Sequence, residues 1–408
     1  MAFGWTKTRF SPIGIDFGAD SLKLLQVVLG EPPSIVAAAA AVVPEHARND
    51  PAARYAFFAD ALKRLTRSQP FKGKRAICSI PAYQTLLQHL PVARSEQDDI
   101  DAQVRQQLRQ RFNINPSRMV VRAFPVGQVT REGGAKQEVI CLAVGRESVM
   151  RHIAMANRCK LDVVGMQSEP LAVVRAFQHL YRRKSDVDRT TCFIDMGAAT
   201  TKVVIAHGKE MAFAKTIHAA GDHLTRHLAD ITHIGFIEAR EARIQKARSL
   251  AAGDAARTVA PGQVQMGRSR SPGVSTMEDA ADELAQTALA APPMPDPEPA
   301  ELATPNAGAD SPDTIDCLID ELHLCVRYHQ SMFKDRPIEK LVFLGGEARH
   351  VSTCQKIARA LRIGAQLGDP LARLTRISQG RPPEGVDLRE PQPGWAVPLG
   401  LCLSEANL

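Results

Sequence analysis

Ile13-Gly14-Ile15-Asp16-Phe17-Gly18 and Cys192-Phe193-Ile194-Asp195-Met196-Gly197 decide how this chain folds. Each is a short apolar run that reads as a buried strand and ends in Asp-x-Gly. An Asp at the end of a strand leaves a carboxylate at a tight turn, beside backbone N–H groups that nothing else satisfies. Glycine lets that backbone approach a phosphate closely, and the carboxylate can hold a magnesium ion or its water. One such turn carries no information. Two of them, almost half a chain apart, imply a duplicated fold that clamps a nucleotide's phosphates between its lobes.

The flanking patterns repeat in the same way. After the first turn, residues 21–29 and 34–43 read as strands, and 52–68 as a helix with Phe57, Phe58, Leu62 and Leu65 on one face. After the second, strands over 202–207 and 210–217 lead into a helix over 222–232. Between the halves lies a different unit, with strands at 86–92, 119–126 and 138–145 and a polar helix at 96–112. The chain therefore divides into a first lobe (1–85 with 160–186), an inserted subdomain (86–159) and a second lobe (187–252 with 311–408). Residues 253–310 are an insertion rich in Ala, Pro and acid. From Ser271 to Asp313 there are nine acids and no Lys or Arg. Such a composition cannot bury enough apolar surface to offset its ordering entropy, so disorder is expected there.

Composition narrows the function classes. The net charge of +7 understates the folded part, because the acidic insertion is counted in it. The basic stretches near 105–122 and 240–248 have acids nearby and no aromatic residues alternating with the basic ones to stack bases, which argues against nucleic acid. No run of 18 apolar residues spans a bilayer. Residues 1–10 lack the apolar segment of a secretory signal, and the eight cysteines show no paired or metal-ligand spacing. A reduced, cytoplasmic protein without direct membrane insertion is expected. His223 and His227 share a helical face, but no Cys or carboxylate completes a metal set.

Five motifs in order carry a resemblance. They are Asp16-Phe17-Gly18-Ala19-Asp20-Ser21 with Lys23, then Ser168-Glu169-Pro170-Leu171-Ala172, then Asp195-Met196-Gly197-Ala198-Ala199-Thr200-Thr201. Phe343-Leu344-Gly345-Gly346-Glu347-Ala348 and Gly394-Trp395-Ala396-Val397-Pro398-Leu399-Gly400 follow. In this order they resemble the first phosphate loop, the first connecting segment, the second phosphate loop, the adenosine segment and the second connecting segment of the actin-like ATPase superfamily. Within it, the opening from Ile13 to Leu24 is similar to the PilM family of type IV pilus assembly. Ile77-Cys78-Ser79-Ile80-Pro81 with Leu90-Pro91-Val92, and Gly221-Asp222-His223-Leu224-Thr225, are similar to it too.

The resemblance implies an α/β, actin-like ATPase fold: two duplicated ribonuclease-H-like lobes around a nucleotide cleft, with the extra subdomain shared by FtsA and PilM. It implies ATP and Mg²⁺ as cofactors, with Asp16 and Asp195 holding the ion through water and Lys23 neutralising phosphate charge. Gly18, Ala19, Ser21, Gly197, Ala198, Thr200 and Thr201 would line the phosphates. Gly221, Lys246, Gly345, Gly346 and Glu347 would line the adenosine side. Glu169 matches the residue that positions the attacking water, although the helix dipole also favours an acid in a first turn. Ala19, Asp20 and Arg243 depart from the active pattern, so hydrolysis is expected to be slow at most. The implied role is an ATP-binding scaffold of the pilus machine. It would dock the cytoplasmic N-terminal tail of a PilN-like inner-membrane partner and be recruited to that membrane through it, with self-association left open. A peptide groove beside the inserted subdomain would carry Arg105, Arg109, Arg111, Arg118 and Arg122. An FtsA-like division or cytoskeletal protein is an alternative reading, though the chain ends without that family's terminal amphipathic helix. A type II secretion scaffold is another. A sugar kinase lacks a convincing catalytic Asp.

Overall fold

The computed structural model describes residues 9–93, 99–131, 134–255, 314–376 and 383–408. The expected disordered insertion at 253–310 falls almost wholly outside them. The first lobe opens with β1 (Ile13–Phe17), β2 (Ser21–Val28) and β3 (Ser34–Val42), followed by a single turn, α1 (Glu45–Arg48), and α2 (Pro51–Ser68). Asp50 caps α2, its carboxylate accepting from the N–H groups of Ala52 and Ala53 at 2.8 and 3.1 Å, and Pro51 occupies the first turn, where no N–H is needed. The helix buries Phe58, Ala61, Leu62 and Leu65 against the sheet, while Phe57 is half-buried. Then come β4 (Arg75–Ile80) and the inserted unit: β5 (Thr85–Ala93), α3 (Ile100–Phe112), β6 (Met119–Arg131) and β7 (Gly134–Gly145). The chain returns through α4 (Arg146–Arg158), β8 (Asp162–Ser168) and α5 (Glu169–Phe177).

The second lobe restarts with β9 (Thr190–Met196), β10 (Thr201–His207), β11 (Glu210–Ile217), α6 (Gly221–Thr232) and α7 (Phe236–Ala255). It continues with α8 (Thr314–Met332), β12 (Lys340–Leu344), α9 (Val351–Leu361) and β13 (Ala365–Leu367). The last elements are β14 (Thr375–Arg376) and α10 (Ala396–Cys402). The duplication is visible strand by strand. The first sheet runs β14-β3-β2-β1-β4-β8 and the second β11-β10-β9-β12-β13. Apart from β14 the two orders are the same. In each, the first three strands are antiparallel and the last two are added in parallel. β1, β9 and β10 are buried along their whole length, as their apolar runs demand of strands covered on both faces.

Two segments sit elsewhere than the sequence places them. The range 311–408 reads as second lobe, yet β14 pairs with β3, Glu384 bridges to Ala39, and α10 packs on α5 and β1. Local pattern cannot reveal this, because a two-residue strand has no period. The range 86–159 reads as the inserted subdomain, but α4 buries Val149, Met155 and Ala156 in the core of the first lobe. What remains of that subdomain is an antiparallel sheet in the order β5-β7-β6, covered on one face by α3 through Val104 and Leu108. Its other face is turned to the second lobe. There His89 stacks on Phe213 with ring centroids 4.7 Å apart, and the Tyr328 hydroxyl donates to the fully buried Glu138.

Candidate functional site

Both Asp-x-Gly turns are built alike. The Gly18 N–H donates to the Ser21 carbonyl at 3.1 Å, and the Gly197 N–H to the Thr200 carbonyl at 3.0 Å. A Cβ at either glycine would come within 2.9 or 3.0 Å of that same carbonyl, so each loop closes only over glycine. The turns face one another across a cavity of about 120 Å³. Asp16, Gly18, Ala19, Ser21 and Lys23 line it from the first lobe. Asp195, Gly197, Ala198, Thr200, Gly345, Gly346 and Glu347 line it from the second. Gly345 is required by its backbone, with φ +86°, and by proximity: a Cβ there would lie 2.1 Å from the Met196 carbonyl oxygen. At Gly346 a Cβ meets nothing within 4 Å, so that surface is open.

Three of the expected residues do other work. Thr201 donates its hydroxyl to the Ala219 carbonyl at 2.6 Å and holds the loop into α6. Gly221 lies under Glu347, whose carboxylate a Cβ at Gly221 would strike, and its N–H donates to Gly197. Lys246 is exposed on α7 and does not line the cavity. Arg243, from the same helix, pairs with Glu347 and donates to the Gly221 carbonyl at 3.0 Å and the Thr225 hydroxyl at 2.8 Å. Asp20, which also lines the cavity, pairs with Arg48 and with Arg240 of the second lobe. Arg48 also reaches Asp222 at 3.3 Å, so these pairs tie the lobes together across the cleft mouth. The buried Arg48 guanidinium, close to Arg240, is lowered to about 10.

The floor holds a residue that the sequence reading passed over. Lys202, on β10, sets its ammonium 3.0 Å from Asp195 Oδ2 and 2.7 Å from Glu169 Oε2. Burial alone would lower its pKa, but the two carboxylates outweigh burial and raise it. Glu169 is held from both sides, since its Oε1 accepts from the Ala82 N–H at 3.0 Å. Asp16 takes a bond from the Ser79 hydroxyl at 3.1 Å, with Lys23 farther off at 4.0 Å. Burial dominates there and pushes its carboxyl up to about 6. One signal could have found Lys202: it stands seven residues after Asp195, as Lys23 does after Asp16.

This geometry bears on the metal expected from the resemblance. Among the described residues, no group of three or more His, Cys, Asp or Glu could hold an ion. The place between Asp195 and Glu169 is filled by an ammonium. The magnesium role expected of Asp195 therefore does not fit the residues as they are arranged.

Two duplicated lobes, one sheet order used twice and a glycine-lined cleft between them define the class: an actin-like ATPase fold. The family described as type IV pilus assembly protein PilM matches residues 14–260, more than half of the chain, and that described as cell division protein FtsA matches 192–377. The chain belongs to the PilM family of type IV pilus assembly proteins. Its fold is that of a solved PilM–PilN type IV pilus biogenesis complex: TM-score 0.65 at 16% identity, over 96% of this chain and 98% of that one. The ethanolamine utilization protein EutJ from Carboxydothermus hydrogenoformans aligns at 14% identity and TM-score 0.46, over 97% of this chain and 89% of that one. MreB5 of Spiroplasma citri bound to ADP aligns at 10% and 0.41, over 96% and 95%. No curated protein matches the chain by sequence.

Proposed function

We propose that the chain is an ATP-binding scaffold of a type IV pilus assembly machine, cytoplasmic, and held at the inner membrane by the N-terminal tail of a PilN-like partner. The observation that carries the nucleotide is the pair of identically built glycine turns facing across one cleft, with Gly345 and Gly346 leaving a bare surface beside them. The cavity is smaller than the roughly 300 Å³ at which ligand pockets begin, so admitting ATP requires the lobes to part at the Asp20, Arg48, Asp222 and Arg240 pairs. Among the described residues no helix is long and apolar enough to cross a membrane, which suits recruitment through a partner.

Gly346→Phe tests the cleft without straining the fold, because its Cβ has open space. The ring should fill the adenosine surface and weaken ATP binding at least about tenfold, or 1.4 kcal/mol, by calorimetric titration. Equal binding by the variant, or none by the parent chain, would remove the nucleotide from the proposal.

The partner is tested on the inserted subdomain. Arg105, Arg109 and Arg111 are exposed along α3, and Arg118 and Arg122 are exposed nearby. Such a face favours a peptide that carries acids. Deleting the whole unit would expose its core contact with the second lobe, so point changes are the cleaner probe. Arg105→Glu with Arg109→Glu should abolish retention of the membrane partner in a pull-down while ATP titration is unchanged. Full retention would move the docking surface elsewhere.

A further inference from the structure

The duplication extends to a detail that the two lobes then use differently. Across β1 and β2, Asp16 lies opposite Lys23; across β9 and β10, Asp195 lies opposite Lys202. Lys23 is held loosely, 4.0 Å from its Asp, with its side chain 21% exposed toward the cleft. Lys202 is held tightly by carboxylates from both lobes, Asp195 of the second and Glu169 of the first, and its side chain is 10% exposed. Antiparallel register brings each lysine opposite its Asp in both lobes; the contrast comes from Glu169, which completes the grip in the second lobe alone.

We propose that Lys202 is the built-in cation of the cleft: its ammonium holds the place between Asp195 and Glu169 that a divalent ion would take. The cleft then binds a nucleoside triphosphate without magnesium and leaves it uncleaved. A divalent ion entering beside this fixed ammonium meets like-charge repulsion in a site largely closed to water. Each Glu169 oxygen already accepts one bond, from the Ala82 N–H and from Lys202, which fixes the carboxylate on those partners rather than on a water. Lys23 and Lys202 both line the cavity where the phosphates would sit. The inference rests on the nucleotide reading above, and its test separates the two.

The full chain is titrated with ATP in magnesium and again in EDTA, and phosphate release is followed in magnesium. The two dissociation constants are expected within about threefold of each other, well short of a tenfold metal requirement. Phosphate release should not exceed the background. Lys202→Met should lose ATP affinity in EDTA by about tenfold or more and recover it in magnesium, as the vacated place takes the ion. Lys202→Arg keeps the charge and should keep metal-independent binding, which guards against loss through misfolding of the methionine variant. ATP bound by the parent chain only in magnesium overturns the role of Lys202 and leaves the nucleotide reading standing. So does metal-independent binding by Lys202→Met, or steady turnover. Absence of binding in both buffers overturns the nucleotide reading itself, and this inference with it.

Discussion

Gly400→Val should destabilise the protein by at least about 3 kcal/mol, the upper range for overpacking a core. Gly400 lies in α10, where a Cβ would stand 1.8 Å from the Ala172 carbonyl oxygen of α5. The neighbouring joint is equally tight: a Cβ on Gly14 of β1 would meet the Pro398 carbonyl at 2.6 Å. Neither helix can retreat, because Leu399, Leu401 and Cys402 are buried in the central cluster shared by both lobes. The clash is with backbone, which no rotamer relieves. Thermal unfolding should shift down by about 4 °C or more. A shift under a degree or two would mean that the helices do not touch as described.

Asp16→Asn should act in the opposite direction. Asp16 is 5% exposed, and burial raises its carboxyl from 3.8 to about 6. The folded state thus holds that proton more tightly than the unfolded chain does. Stability from this group is complete below pH 3.8 and is lost as pH rises to about 6; above that the folded protein carries an ionised, buried carboxylate. From 3.8 to about 6 the difference corresponds to about 3 kcal/mol. Asparagine keeps an oxygen for the Ser79 hydroxyl and removes the charge. Urea unfolding should therefore show the variant more stable than the parent chain at pH 7.5 and near-equal at pH 4. Parallel curves at both values would show that Asp16 carries no such strain.

The parts legible in the sequence were those that local physics enforces. Asp16 and Asp195 could be paired because a carboxylate followed by glycine after an apolar run is a backbone device. The sheets followed because their meanders repeat. Gly345 was reached through the family resemblance alone, and its positive φ shows why the backbone needs glycine there. Lys202 was not legible, since a lysine after Thr200-Thr201 reads as a strand end. Its role appears only when β10 pairs with β9 and sets it opposite Asp195. Asp20 read only as a departure from the active pattern, and its pairing with Arg48 and Arg240 appears once the fold brings them together. The placement of β14 and α10 in the first lobe depends on contacts more than 300 residues apart in sequence, such as Ser34 with Thr375. No window along the chain contains both ends of such a contact.

The inserted sheet has one more property. Its polypeptide leaves the first lobe after β4 and comes back to it at α4, yet its inner face is seated on Phe213, Ala214 and Tyr328 of the second. A body hinged at its ends to one jaw and resting by its face on the other works as a lever. When the jaws rotate about the cleft, the His89 stack and the Tyr328–Glu138 bond must slide, tilt or carry the sheet with them. The arginines of α3 ride on the outer side of that lever. Filling or emptying of the cleft would thus be expressed as motion of a charged surface that no nucleotide touches.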